Sequence, residues 1–240
     1  IRHDNTLSKP LSSWDEQFDV IVTNPPFGGT EEDGIEKNFP SETQTRETAD
    51  LFLQLIVEVL ADKGRAAVVL PDGTLFGEGV KTKIKKLLTE ECTLHTIVRL
   101  PNGVFNPYTG IKTNLLFFTK GQPTQDIWFY EHPYPVGVKN YSKTRPMKFE
   151  EFQAEIDWWG DEADGFASRV ENEHAWKVSI DDVIARNFNL DIKNPHQAEA
   201  ISHDPDELLT QYQQQQTEIN KLRDQLRDIL DAALAGKEVN

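Results

Sequence analysis

The sequence predicts an α/β fold: part of a parallel sheet, closed by an antiparallel hairpin and followed by a helical tail. Three observations carry this. Short runs rich in β-branched residues, Val20-Ile21-Val22 and the stretch 65–70 (RAAVVL), have the length and composition of buried strands. Between them, residues 47–62 repeat apolar side chains at steps of three and four, as a helix does, giving a β-α-β unit with a right-handed crossover. Finally, the strands expected at 94–100 and 115–119 leave no room for a helix between them, so they pair antiparallel.

Taken in order, residues 1–17 form the end of a strand and a polar loop. The run Phe18-Asp19-Val20-Ile21-Val22-Thr23 follows as a strand expected to be buried on both faces. It stops at Asn24-Pro25-Pro26-Phe27, because consecutive prolines cannot donate to a sheet ladder. Each proline also restricts the residue before it, so the chain makes a stiff elbow. Residues 28–46 are polar and acidic, and are either a lid over a site or a disordered loop. The helix at 47–62 is expected to stop at Gly64. After the strand at 65–70 come the loop Pro71-Asp72-Gly73, a helix at 80–89 and the hairpin, whose long loop reads LPNGVFNPYTGIKTN. A short strand at 127–130 follows, then an irregular stretch to 175 and a short helix at 181–186. Trp158, Trp159 and Trp176 are expected to cap a core or pack the tail rather than bind bases. The domain plan is thus 1–130, an extension at 131–203, and a tail at 204–240.

The elbow is the chemically informative stretch; Asn-Pro-Pro-Phe by itself also reads as a simple turn, and the strand before it with Gly28 and Gly29 after it shifts the balance towards a site. An Asn side-chain oxygen and the Pro25 carbonyl can accept both hydrogens of one amino group, while Phe27 stacks on its ring. Accepting both hydrogens draws an aromatic amine towards tetrahedral geometry and returns its lone pair to nitrogen. Stabilisation grows as that nitrogen becomes positive, which favours the transition state over the ground state. A base in duplex DNA would have to leave the stack to reach such a pocket.

Composition bounds the alternatives. The chain has 240 residues, a net charge of −15 and one cysteine, Cys92, so an internal disulfide is excluded. No apolar run is long enough for a membrane helix, no signal peptide is visible, and the six histidines lack metal-ligand spacing. These features predict a cytoplasmic protein without a metal. The acidic balance argues against the chain gripping DNA unaided. Two basic clusters stand out, Lys81, Lys83, Lys85 and Lys86, then Lys139, Lys143, Arg145 and Lys148; the first is expected to be a solvated face. The sequence Gly77-Glu78-Gly79 follows no strand directly and is not expected to bind phosphate.

The string FDVIVTNPPFGG and the loop PYTGIKTN resemble the modification (M) subunit of type I restriction–modification systems, an adenine-N6 DNA methyltransferase. The resemblance implies the methyltransferase variant of the Rossmann-like sheet, with S-adenosylmethionine as methyl donor. It implies that Asn24 and the Pro25 carbonyl orient the amine, that Pro26 stiffens the elbow and that Phe27 stacks. By the same match His3-Asp4-Asn5-Thr6-Leu7 borders the cofactor, with Asn5 at the usual Asp or Asn position; an ordinary polar turn is the alternative. Tyr108 either stacks beside the target base or packs the loop on the core. The chain begins at Ile1, and its only methionine is Met147. It is therefore expected to be the carboxyl-terminal portion of a longer protein, with the main glycine-rich cofactor loop before residue 1, and to be inactive and a poor cofactor binder by itself.

The tail has a heptad seam, Leu208, Tyr212, Gln215, Ile219, Leu222, Leu226, Ile229 and Ala233. A helix of roughly 45 Å is expected there. In the resembled family it contacts the specificity (S) subunit, within a complex holding a second M subunit, a restriction (R) subunit and DNA. Two rival functions remain: transfer to a protein glutamine or RNA base, and a non-catalytic assembly module that only holds a specificity subunit through the tail.

Overall fold

The computed structural model describes residues 5–197 and the isolated positions 216 and 223. The first of the chain's two compact units, Ile1–His196, holds every element discussed below. The heptad tail and residues 1–4 lie outside the described residues.

Six strands form one mixed sheet. Strand β1 is Phe18–Thr23, helix α1 Thr48–Val59, β2 Leu60–Pro71, α2 Asp72–Phe76, α3 Val80–Glu91 and β3 Cys92–Arg99. Then come β4 Thr113–Lys120, β5 Asp126–Glu131, α4 Gln153–Trp158, β6 Ala175–Ser179 and α5 Ile180–Ala185. The order across the sheet is β1-β2-β4-β3-β5-β6. The predicted parallel pair β1/β2 and antiparallel pair β3/β4 both form. Strand β4 is threaded between β2 and β3, antiparallel to both. Because β5 runs parallel to β3, the carboxyl ends of β1, β2, β3 and β5 all reach one edge.

One face of the sheet is covered by α1 and α3. Leu53, Ile56 and Val57 of α1 meet Val68, Leu70, Phe118 and Ile97 from the strands, with Ile84 and Leu88 of α3. The other side of α1 places Leu51, Leu55 and Val59 against Leu7 and Phe39. Helix α1 is therefore buried nearly all round. On the opposite face, Trp158 and Trp159 pack over Tyr130, Leu115 and Phe117. Trp176 of β6 stacks on Phe129 with ring centroids 5.3 Å apart. The three tryptophans cap the core, as expected.

Several expectations need correction. Strand β1 is not buried on both faces: Val20 is 57% and Val22 78% exposed. Among the described residues it is an edge strand paired only with β2, and no layer covers the face that Val20 and Val22 share. Helix α1 ends at Val59, before Gly64, because Leu60 already pairs with Phe18. Gly64 lies within β2, where a Cβ would come within 2.8 Å of the Phe18 carbonyl oxygen. Residues 28–46 are neither disordered nor a loose lid. They return as a folded loop, with Phe39 buried and the Asn38 side chain donating to the Leu7 carbonyl. The first basic cluster is a solvated face only in part: Lys83 and Lys86 are exposed, but Lys81 and Lys85 are not. Lys85 is 1% exposed and its ammonium donates to the carbonyls of Leu75 and Gly77, while Lys81 pairs with buried Asp50 at 2.6 Å. Helical spacing puts Lys81 and Lys85 one turn apart on the inner side of α3, where Lys81 meets the carboxylates of Glu47 and Asp50 and Lys85 meets carbonyls that need donors.

Candidate functional site

The elbow leaves β1 at the carboxyl edge of the sheet, where open α/β sheets bind ligands. Pro25 is buried and anchors it; Asn24 is exposed, and its side chain makes no hydrogen bond among the described residues. The amide is thus free to accept from a ligand. Behind it, Gly28 adopts φ +65°, a left-handed conformation that favours glycine. Gly29 lies so close to α1 that a Cβ would meet the Thr48 hydroxyl at 2.8 Å. The Thr48 amide donates to the Gly29 carbonyl at 3.0 Å, so the start of α1 braces the elbow from behind.

Glu31 ties this region together. Its carboxylate accepts from the Thr48 hydroxyl at 2.8 Å and from the Asn5 amide at 3.1 Å. Its backbone carbonyl accepts from the Arg46 guanidinium. Asn5 is therefore brought to the elbow loop, with its Oδ1 accepting from the Leu7 amide. One layer down, Asp50 is held by Lys81 and Thr74. Burial raises the Asp50 pKa against the pull of the Lys81 ammonium. For Lys81 burial lowers the pKa, but the hydrogen bonds to Asp50 and Glu47 outweigh it and the net shift is upward.

The hairpin loop covers the elbow from the side. Phe105 meets Phe27 edge-on, with centroids 5.1 Å apart and planes at 75°. Ile111 lies against Gly28. Tyr108 is 92% exposed, so it does not pack the loop on the core; Val104 does, while Phe105 lies on Phe27. The loop is laced to the end of β2, where the Asn114 amide donates to Asp72 at 2.6 Å and the Asp72 amide to the Lys112 carbonyl at 3.0 Å. Phe105, Glu31 and Thr48 were not singled out from the sequence. Phe105 was within reach, as an aromatic in a loop that had to pass the elbow. Glu31 and Thr48 carry no such signal. Gly77 and Gly79 lie between α2 and α3, away from any strand end. Among the described residues no cluster of His, Cys, Asp or Glu could hold a metal.

A mixed sheet with β4 inserted antiparallel, helices α1 and α3 on one face and an Asn-Pro-Pro-Phe elbow at its carboxyl edge has a Rossmann-like methyltransferase architecture. The chain belongs to the N-6 DNA Methylase family, whose model matches residues 1–204. It is 87% identical over 238 residues to the methylase subunit of the type I restriction enzyme EcoEI of Escherichia coli, covering 99% of this chain and 49% of that protein. It is 35% identical over 211 residues to the StySPI methylase subunit of Salmonella potsdam, covering 84% of this chain and 38% of the relative. Among solved structures, the EcoKI M protein superposes with a TM-score of 0.68 at 31% identity, over 79% of this chain and 46% of the other. A modification subunit assigned to a type I restriction enzyme from Vibrio vulnificus YJ016 gives 0.76 at 46% identity, over 83% and 43%. The chain thus spans about half the length of the curated relatives it matches.

The family implies S-adenosylmethionine. The described residues fit the target-amine half of such a site, since the Asn24 amide is exposed and unengaged. Of a cofactor half they offer Asn5, whose amide already meets Leu7 and Glu31.

Proposed function

We propose that this chain is the target-base half of a type I restriction–modification methylase subunit that methylates adenine N6 in DNA. The observation that supports it is the elbow itself: Asn24 free to accept, Pro25 buried, and Phe27 held edge-on by Phe105. Asn24 Oδ1 and the Pro25 carbonyl accept the two amine hydrogens of a flipped adenine, and Phe27 lies on its ring. Both acceptors gain as the nitrogen turns cationic, so they act on the transition state. The rings of Phe27 and Phe105 also keep water from the attacking nitrogen. S-adenosylmethionine, when bound, supplies the electrophilic methyl group. Asn5 borders it, and residues other than those described hold most of it.

The tail, residues 204–240, docks the specificity subunit, and the assembly includes a second methylase subunit and a restriction subunit. It works in the cytoplasm, and the specificity subunit chooses the DNA sequence. The test is Asn24→Ala in the complete methylase subunit, assembled with its partner. Methyl transfer to adenine is expected to fall by about 10²–10³, the typical cost of losing one such group. Assembly and DNA binding are expected to persist. Asn24→Asp, which keeps an acceptor, retains part of the activity. Full activity in Asn24→Ala would remove the elbow from the chemistry.

A further inference from the structure

The second basic cluster is built onto the site. Residues 132–149 follow β5 at the same carboxyl edge as the elbow and the hairpin loop. The Asn106 amide donates to the Tyr141 carbonyl at 3.0 Å, and the Tyr134 hydroxyl to the Asn102 carbonyl at 2.9 Å. Gly103 lies so close that a Cβ would meet the Tyr141 carbonyl oxygen at 2.8 Å. Within the segment, Ser142 and Arg145 exchange two backbone hydrogen bonds of 3.0 Å, which hold Lys143 at the tip of a tight turn. Tyr141, buried beneath it, donates to Glu151.

The charge of this pair of loops is opposite to that of the chain. Stretches 100–112 and 132–149 contain none of the 40 Asp and Glu residues but five of the 25 Lys and Arg residues. Lys139, Lys143, Arg145 and Lys148 are all exposed. Among the described residues none of the four is in an ion pair, whereas Arg46, Lys81, Lys86, Arg99 and Lys177 each are. In the other acid-free basic run, residues 79–89, Lys81 and Lys85 are engaged by carboxylates and carbonyls of the fold, which among the described residues is not so for the four cations here. The exposed rings of Tyr108 and Phe149 complete a surface of cations and aromatics.

We propose that the two joined loops are a phosphate-gripping lip. Lys139, Lys143, Arg145 and Lys148 contact the backbone of duplex DNA beside the flipped adenine. The inference rests on the catalytic reading above and extends it. A chain whose charge of −15 repels DNA as a whole meets it through one local cationic edge, which orients the duplex towards the elbow.

The test uses the complete methylase subunit assembled with its specificity subunit, and a fluorescent duplex carrying the target site. Affinity is measured across a salt series. Replacing all four residues by Gln is expected to weaken binding at least tenfold. The slope of log K against log salt is expected to fall by about 2–4, near 0.9 for each phosphate that is no longer neutralised. Transfer at saturating DNA is expected to persist, with KM for DNA raised. Lys37→Gln, Lys83→Gln, Lys86→Gln and Lys177→Gln together remove the same charge elsewhere and are expected to leave the slope unchanged. An active wild type whose lip variant keeps its slope overturns the lip and leaves the catalytic reading intact. An equal fall in the control set also overturns it, since net charge alone would then explain the effect. A wild type that methylates no adenine-containing duplex overturns the catalytic reading, and with it the lip as stated.

Discussion

At the β5–β6 end of the sheet, Trp176 lies flat on Phe129 and both are almost fully buried; at the β1 end, Val20 and Val22 project into the open. The sheet is densest where the chain carries no candidate chemistry and barest beside the elbow. This contrast separates two tasks. The helices α1 and α3 and the tryptophans hold the fold together. The elbow needs only a rigid mount, and local restraint supplies it: two prolines, and the hydrogen bond from the Thr48 amide to the Gly29 carbonyl behind the left-handed Gly28. The elbow is therefore braced by its own neighbours and not by whatever lies over the β1 face.

The largest effect that tests the contrast is on stability. Trp176→Ala removes a buried stacked ring and is expected to cost about 3–5 kcal/mol. Val22→Ala, on the open face, is expected to stay within about 0.5 kcal/mol in this chain. Chemical denaturation of the two variants measures both. Equal destabilisation would mean that the β1 face is covered in solution.

Most of the skeleton was legible in the sequence, and the exceptions have physical causes. Helix α1 announced itself because its apolar spacing is strict on both buried sides. The hairpin loop predicted that β3 and β4 pair, but nothing local says that β4 inserts beside β2; that register is set by Leu116 and Phe118 packing on the distant α1 and α3. Strand β6 was missed because it has five residues and Lys177 interrupts its apolar run, while its burial comes from β5 and the helices. The run Val20-Ile21-Val22 looked doubly buried because β-branched residues signal a strand, not what covers it. At the site, Asn24 to Phe27 were visible because proline chemistry is local. Glu31 and Phe105 were not, because each acts across a fold-dependent contact.

The next effect is on pH dependence and lies where the two regions meet. His95 lines a groove of about 200 Å³ with Val20, Val22, Ala67, Phe117 and Trp159. Its ring lies 4.8 Å from that of Phe166, beside the Arg169 guanidinium, which donates to Thr96 at 2.8 Å. Burial, with Arg169 adding to it, lowers the His95 pKa to about 3. Between that value and the ordinary 6.5 the unfolded chain holds the extra proton. The His95 contribution is thus fully present above pH 6.5 and is lost as pH falls towards 3, by up to about 1.4 kcal/mol per pH unit. Denaturation of wild type and His95→Gln from pH 7 to 4 should show a shallower acid loss in the variant. Identical slopes would mean that His95 is wetted through the groove.

The smallest effect concerns Phe105, and it separates mounting from packing. Its edge contact with Phe27 is of a kind worth about 0.5–1.5 kcal/mol. Phe105 is only half-buried, on a loop that Asn106, Asp72 and Asn114 hold in place by other bonds. Phe105→Ala should therefore lower global stability by no more than about 1 kcal/mol, since the contact is peripheral to the core. In the complete methylase subunit, however, it frees the Phe27 ring to rotate away from a flipped base. Transfer should then fall by up to about tenfold, the same energy expressed in the transition state. The fall should appear in kcat rather than in KM for DNA, because the ring positions the base after binding. Phe105→Tyr, which keeps the edge, should restore the rate. A drop in melting temperature proportional to the drop in rate, or no rescue by tyrosine, would make Phe105 an ordinary packing residue.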